Sequence, residues 1–564
     1  MSTVVNIICP LCNDSVNKLL YPFHADSERL VIGRIKEQHP AWLENSSLCS
    51  RCMDYYRTEI VMQQRILPEI GPYFSIKSAD DFIILPTGLR LNADPRFTGK
   101  GITICFIDSG FYPHPDLTMH RNRVKAIIDI TKEPSNSGCI PNDQVQMQVD
   151  HDSYEEDNSR WHGTMTSVVC AGDGYCSNGL YKGIASDAEL VFVKVQDKAG
   201  KITTASIVAA LQWVAVNHKK YGIRIVNMSL GDDTAVPFKS SESDQMAEQL
   251  IENGIVIVAA VGNDENAAIK PPANSPNVIA VGGIDDDNRL DAPPGKLYHS
   301  SFGKTMDELM KPELLAHSIW IAAPILPGTK AAMEATILYR LLSQNDAELP
   351  AALAAGYSQI KLNSQLCGSN DVPFIRQTIV RRIQEAKYIS AAYMHVDGTS
   401  FAAPIVSAVI AQLLEANPQL TPGSVRTILF STAKRIDNQA AERQGFGVIQ
   451  PRKAIIKVLN REAIAKPQVS PYINQQENCI EFYLQHDCAY QVSLAGNFNN
   501  WAPDVWLLEP GKNGLWKIAI PMLPAGRYLY KFFVDDKNWQ EDIGNPYKEP
   551  DGFFGFNSIL IVNP

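Results

Sequence analysis

The sequence predicts an α/β protein: a parallel sheet with helices on both faces, preceded by a small cysteine-bearing module and followed by an all-β module. Three observations lead there. Between residues 82 and 460, short β-branched runs alternate with helical stretches, as strands joined by crossover helices do. Residues 1–60 hold two Cys-x-x-Cys pairs. From residue 479 the chain changes to short alternating strands with Gly, Asn and Asp turns.

The elements follow in chain order. A length of 564 residues suggests about three or four domains rather than one. We divide it into a cysteine module (1–60), a connector (61–81), the α/β domain (82–460) with an insertion at about 325–388, a polar linker (461–478) and the all-β module (479–564). Strand candidates in the α/β domain are Ile102–Ile107, Glu189–Val195, Arg224–Met228, Ile255–Val261 and Asn277–Val281. Helical stretches include Lys330–Leu342, Phe374–Lys387 and Ile405–Leu414. Apolar runs such as Ile255–Val261 fall far short of the roughly 18 residues a membrane span needs. Nor does Met1–Pro10 show the basic start and long apolar stretch of a secretory signal. With an odd count of 11 cysteines, this favours reduced thiols and a cytoplasmic location. The net charge of −10 argues against a general role on nucleic acid or at a membrane surface.

Four short stretches of the α/β domain carry chemistry. Ile102–Ile107 ends in Asp108-Ser109-Gly110, a carboxylate at the end of a strand, where open α/β sheets bind ligands. A helix cap is the ordinary alternative. Trp161-His162-Gly163-Thr164 opens a helix of small and apolar residues, from which an imidazole can offer one nitrogen to Asp108 and the other to a nucleophile. In Gly398-Thr399-Ser400-Phe401-Ala402-Ala403-Pro404, small residues surround a serine at a helix start. Such a serine is ordinarily an N-cap. Here a substrate backbone can come close, and the helix N-terminus favours a developing anion. Finally, Val258–Val261 emerges into Gly262-Asn263, an ordinary turn or an amide donor for an oxyanion beside the Ser400 N–H.

The order Asp, His, Asn, Ser is that of the subtilisin arrangement. Residues 82–460 resemble a subtilisin-family serine protease, and His114-Pro-Asp-Leu117, Asn227-Met-Ser-Leu-Gly231, Ser301-Phe-Gly303 and Lys311-Pro-Glu-Leu-Leu-Ala316 match that family at the expected places. The resemblance implies a subtilisin-like sheet and a serine endopeptidase that cleaves protein or peptide substrates through an acyl-enzyme. Asp108 would orient, His162 act as general base and then acid, Ser400 attack, and Asn263 donate to the oxyanion; no cofactor is needed for that chemistry. It also assigns Ser229-Leu230-Gly231 and Ala260-Val261-Gly262 to the two walls of the primary specificity pocket. Asp232, Asp233, Asp264 and Glu265 follow those walls and suggest a preference for a basic residue before the scissile bond, unless they are solvated loop charges.

Two stretches depart from the family. Between Ala316 and Gly398 the chain takes a far longer path, with Ala316-His317-Ser318 where relatives have Ala-Pro-Gly. The insertion is expected to gate access or carry a partner surface, or else to be inert elaboration. Ahead of His162, Lys132–Arg160 is rich in acids (Asp150, Asp152, Glu155, Glu156, Asp157), a candidate for Ca2+ without a spaced loop signature, or an ordinary surface loop.

The two ends add binding chemistry. Cys9-Pro-Leu-Cys12 and Cys49-Ser-Arg-Cys52 form two knuckles whose four thiolates suit a tetrahedral structural Zn2+. They resemble zinc-ribbon and treble-clef modules; free or redox-active thiols are the alternative. At the other end, Gly496-Asn-Phe-Asn-Asn-Trp501, Gly526–Asp535, Asn538-Trp539 and Phe556-Asn557 resemble the glycogen-binding β-sandwich of the AMP-activated kinase β subunit and of branching enzymes. That implies an immunoglobulin-like sandwich in which Trp501 and Trp539 stack on α-glucan rings while Lys531 and Asn557 bond hydroxyls. Protein docking is the alternative. The sequence thus points to an endopeptidase positioned on glycogen or a related glucan. A regulatory or scaffold protein with a latent protease domain is the rival, and the complete triad speaks against it.

Overall fold

A computed structural model of the chain describes residues 84–132, 160–288, 296–356, 369–459 and most of 470–562, with isolated positions elsewhere. Cys9, Cys12, Cys49 and Cys52 lie outside the described residues, as do Asp150, Asp152, Glu155, Glu156 and Asp157. The chain divides into two compact units, one of residues 1–85 with 341–385 and one of residues 86–340 with 386–564.

The second unit is built on β1 (Thr103–Asp108), β2 (Val124–Asp129), β3 (Glu189–Lys194), β4 (Ile223–Met228), β5 (Val256–Ala260), β6 (Ile279–Asp285) and β7 (Leu314–His317). They form the parallel part of a nine-stranded sheet in the order β7-β6-β5-β4-β1-β3-β2. All five strand candidates are strands; Asn277–Val281 starts at Ile279 and runs on to Asp285. The chain leaves β1 toward β3 and β2 and returns to its other side with β4, so β1 stands where the strand order reverses. Ligand crevices open at that point, beyond the carboxyl ends of the strands.

Helices lie on both sides of this sheet and in the insertion. They are α1 (Arg160–Ala171), α2 (Thr204–Tyr221), α3 (Glu242–Glu252), α4 (Lys330–Leu342), α5 (Leu349–Gly356), α6 (Val372–Glu385), α7 (Thr399–Ala416), α8 (Pro422–Thr432), α9 (Ala441–Gln444) and α10 (Pro451–Leu459). Strand side chains alternate between two cores, as the two-residue period requires. Ile104, Phe106, Phe192 and Val258 pack with α1, α7, α8 and α10. Cys105, Ile107, Val193 and Ala259 pack with α2 and α3 on the other face. Helices therefore cover both faces.

Helix α7 is apolar almost all round because it is buried almost all round. By length and composition it is long and apolar enough to cross a membrane, but its surroundings are the protein core. The Lys311-Pro-Glu313 motif has a structural reason. Buried Lys311 donates to the Ser275 and Val278 carbonyls at 2.6 and 3.0 Å and pairs with Glu313 at 2.6 Å. Glu313 in turn accepts the Ala280 N–H at 2.9 Å, tying β6 to the segment that enters β7.

After β7 comes an antiparallel pair, β8 (Ile321–Pro324) with β9 (Tyr393–Val396), and the insertion connects the two strands. The expected helices of the insertion are present as α4 and α6, and α5 lies between them in sequence. In the first unit, Arg376 of α6 pairs with Asp346 at 2.7 Å and donates to the carbonyls of Leu342 and Gln344.

The C-terminal residues form β10 (Tyr472–Asn474), β11 (Cys479–Gln485), β12 (Val492–Gly496), β13 (Leu515–Pro521), β14 (Gly526–Val534), β15 (Asn538–Gln540), β16 (Lys548–Pro550) and β17 (Phe556–Val562). One antiparallel sheet contains β10-β11-β13; the other runs β12-β14-β17-β16, with β15 on β14. Ile480, Phe482 and Trp516 of the first share a core with Leu494, Tyr530, Phe532 and Leu560 of the second. These sheets meet the α/β domain through Phe556, which packs with Met310 and Ala441, and through Lys548, whose Nζ lies 3.8 Å from the centre of the Phe446 ring. Burial pulls the Lys548 pKa down to about 8.

Gly163, the residue after His162, marks a tight approach of α1 to the segment after β1. A Cβ there would stand 2.4 Å from the Gly110 carbonyl oxygen and 2.8 Å from the Phe111 ring. We expect Gly163→Ala to destabilise the fold by about 1–3 kcal/mol through overpacking. A lowered thermal midpoint in calorimetry of the variant beside the wild-type chain is the result to look for.

Candidate active site

The carboxyl edge of the sheet gathers the predicted residues. Asp108 ends β1 and is buried; His162 is the third residue of α1; Ser400 is the second of α7; Asn263 follows β5 and Gly262. His162 Nδ1 donates to Asp108 Oδ1 at 2.7 Å. The same carboxylate accepts the Ser109 N–H at 2.6 Å and the Thr166 hydroxyl at 3.2 Å, so its orientation is set from three sides. Burial alone lowers the His162 pKa. The attraction of the Asp108 carboxylate and the hydrogen bond to it together outweigh that penalty, so the imidazole is held above its ordinary value.

The first turn of α7 organises the other half. Thr399 donates to Asn263 Oδ1 through both its N–H and its hydroxyl, each at 2.8 Å. With the oxygen thus held, the amide nitrogen of Asn263 is turned to the other side. A Cβ on Gly398 would lie 3.5 Å from Asn263 Nδ2 and 3.8 Å from the Ser400 N. Two donors border one small space that a glycine keeps open, and its φ of +132° is one that side-chain-bearing residues avoid. The Ser400 N–H belongs to the first helical turn, where no intrahelical acceptor exists. That is the geometry needed to stabilise an oxyanion.

Pro404 adds a further constraint. Lacking an N–H, it leaves the Ser400 carbonyl without its usual i→i−4 donor. The Ser229 hydroxyl takes that place at 2.8 Å, itself accepting from Asn227 Nδ2 at 3.1 Å. Ser407, two turns along α7, donates to Asn227 Oδ1 at 2.9 Å. The Ser400 hydroxyl makes a long contact of 3.5 Å to the Ser229 carbonyl. Among the described residues no hydrogen bond joins it to His162.

Of the predicted walls, Ser229-Leu230-Gly231 follows β4 and Ala260-Val261-Gly262 ends β5, so they flank the crevice from neighbouring strands. The four acids differ in their surroundings. Asp232 is buried and accepts from the Ser243 hydroxyl at 2.7 Å, and Glu265 pairs with Arg443 at 2.8 Å. Asp233, Asp264 and Glu265 are all exposed. Thr399, Thr166, Asn227, Ser407 and His299, which meets the Asn263 carbonyl at 2.7 Å, were not singled out from sequence.

Among the described residues, the group with metal-ligand character is His114, Asp116 and Cys176, whose candidate atoms all lie within 4.8 Å of one another. Hydrogen bonds already engage it. His114 Nδ1 accepts from the Asp116 N–H at 3.2 Å, and the Asp116 oxygens accept from the Cys176 N–H at 2.9 Å and from the Tyr393 hydroxyl.

A second gathering lies on the C-terminal sheets. Trp501, Lys531, Trp539 and Asn557 line one groove of about 660 Å³. The indole rings stand edge to face, 6.1 Å apart. Trp539 is well exposed, whereas Lys531 is mostly buried and paired with Asp551.

Comparison with known proteins matches residues 99–447 to the model of the subtilase family. The chain belongs to the subtilase family. It is similar to the serine protease AprX of Bacillus subtilis (strain 168), 26% identical over 367 residues, which cover 64% of this chain and 67% of that one. Subtilisin Savinase of Lederbergia lenta is 28% identical over 191 residues, 34% of this chain and 58% of the relative. Among solved structures, fervidolysin from Fervidobacterium pennivorans aligns at a TM-score of 0.45 and 18% identity, over 79% of this chain and 55% of that one. This subtilase is a serine endopeptidase, acting on protein or peptide substrates by a chemistry that requires no cofactor.

An imidazole must be neutral to accept a proton, and the His162 pKa is raised; activity that depends on it should be lost as pH falls through a value above the roughly 6.5 of free imidazole. The acidic limb of a kcat/KM profile on a neutral peptide checks this; a midpoint at or below about 6.5 contradicts it.

Proposed function

We propose that this subtilase cleaves peptide bonds with Ser400 as nucleophile, His162 as general base and then acid, Asp108 as its orienting carboxylate and Asn263 as oxyanion donor. The observation that carries the reading is the 2.7 Å bond from His162 to Asp108, beside a serine at the N-terminus of a buried helix. Ser400 is a weak nucleophile until His162 takes its proton; Asp108 keeps the Nδ1 tautomer and stabilises the imidazolium. The tetrahedral oxyanion forms between Asn263 Nδ2 and the Ser400 N–H. Protonation of the leaving amine by His162 gives the acyl-enzyme, and water reverses the traffic. Ser229–Gly231 and Ala260–Gly262 bind the extended substrate by backbone pairing.

Turnover of fluorescent casein and labelling by a fluorophosphonate probe test the assignment. Ser400→Ala should abolish both. Asn263→Ala should keep labelling detectable but lower kcat by about 10²–10³, or about 3–4 kcal/mol of transition-state stabilisation. Casein turnover undiminished in Ser400→Ala would sink the assignment.

We further propose that the C-terminal sheets form an immunoglobulin-like sandwich that holds the protease on glycogen or a related α-glucan. The support is that Trp501, Lys531, Trp539 and Asn557, distant in sequence, line one groove. Apolar sugar faces stack on indoles, and hydroxyls meet the polar rim. A cytoplasmic location belongs to this reading, and the free thiols of Cys105, Cys170, Cys176, Cys479 and Cys488 are compatible with it. So does a structural Zn2+ on Cys9, Cys12, Cys49 and Cys52, which zinc analysis of the purified chain would test. In co-sedimentation with glycogen the wild-type chain should pellet, and Trp539→Ala should stay in the supernatant while still labelling with fluorophosphonate.

A further inference from the structure

The groove on the C-terminal sheets is not made by those sheets alone. One of its lining residues is Arg435, which follows α8 in the protease domain and stands far from β14–β17 in sequence. Its neighbour Lys434 bridges to Val448, which fixes the backbone there. The guanidinium is anchored from both domains. Nε donates to the Gly445 carbonyl at 3.2 Å, Nη2 pairs with Glu541, and the group lies 5.5 Å from the centre of the Phe556 ring. About 29% of the side chain is still exposed.

The loop beside it is shaped for a ligand edge. Asp551 accepts from the N–H groups of Phe553 and Gly555 at 2.7 and 2.9 Å and pairs with Lys531. A Cβ on Gly555 would come 3.4 Å from Arg435 Nη1, so this loop runs close against the arginine. Phe553, 85% exposed, stands on the same groove as Trp539 and Trp501. The groove therefore combines apolar aromatic surface with planar charged groups, Arg435, Glu541 and Asp551. A sugar asks for that combination, with a C–H face to stack and adjacent hydroxyls to hydrogen-bond. The guanidinium has five donors in a fixed fork, and the Gly445 and Glu541 contacts leave some for a ligand.

We propose that Arg435 is a ligand-contacting residue of this groove, so that one α-glucan chain touches the protease domain and the C-terminal sheets at once. The proposal rests on the glucan reading above. Its consequence is linkage: a ligand held across the joint binds the docked arrangement of the domains and stabilises it.

Maltoheptaose is the probe, titrated calorimetrically into the full chain. Trp539→Ala should remove binding. Arg435→Gln should weaken it about tenfold or more, the usual scale for a charged hydrogen-bond partner, and Arg435→Lys should recover part of the loss. A second readout needs no variant: maltoheptaose should slow phenylglyoxal modification of Arg435 in the wild-type chain, followed by mass spectrometry. If Arg435→Gln misfolds, this protection decides. Loss of binding in Trp539→Ala, with Arg435→Gln binding as wild type or Arg435 unprotected, would overturn the composite site and leave the glucan reading standing. Failure of the wild-type chain to bind maltoheptaose would overturn both.

Discussion

The arrangement at the active site depends on one buried helix, α7, whose first turn is bonded by groups that follow two neighbouring strands, β4 and β5. Burial on nearly every side leaves it little freedom to tilt or slide. Thr399 therefore holds Asn263 in a fixed orientation. Ser229 fixes the Ser400 carbonyl that Pro404 leaves open, and Ser407 ties the next turns to Asn227 on β4. Positioning of this kind matters because small displacements of reacting groups cost large factors in rate. The proline, unfavourable inside most helices, becomes a means of freeing one acceptor for the neighbouring strand.

Against that reference, the Asp108–His162 pair is an electrostatic balance. A buried imidazole resists protonation, yet the adjacent carboxylate supplies more attraction than burial removes. Low local polarity strengthens the attraction as it penalises the isolated charge. Thr166 and the Ser109 N–H keep the carboxylate aligned, and Gly163 allows α1 to come close enough for the short bond. Sterics, not charge, set the distance over which the charges act.

The joint to the C-terminal sheets uses a different chemistry. Phe556 enters a small apolar contact with Met310 and Ala441, while the cations of Lys548 and Arg435 stand over aromatic rings. Aromatic faces compensate cations partly removed from water. Along the same side of the protease domain, Arg443 joins α9 to Glu265, close to the loop that carries Asn263. The groove and the peptidase site thus share a short stretch of packed structure.

Much of this protein is a local property of its chain and was legible as such. Two-residue alternation, apolar runs and the small residues around His162 and Ser400 mark strands and helix starts because they need only neighbours within a few positions. The family was equally readable. What tertiary structure decided are the contacts between distant residues. Thr399 orients Asn263 from 136 residues away, and Ser229 supports the Ser400 carbonyl from 171. Asp232 looks like a substrate acid in the sequence, but it is buried and accepts from Ser243. Arg435 shows no ligand signal in its own segment; only the packing of two domains brings it to the groove. Periodicity and turn chemistry are set by short-range sterics. The partner a polar group finds depends on which strands and helices cross above it.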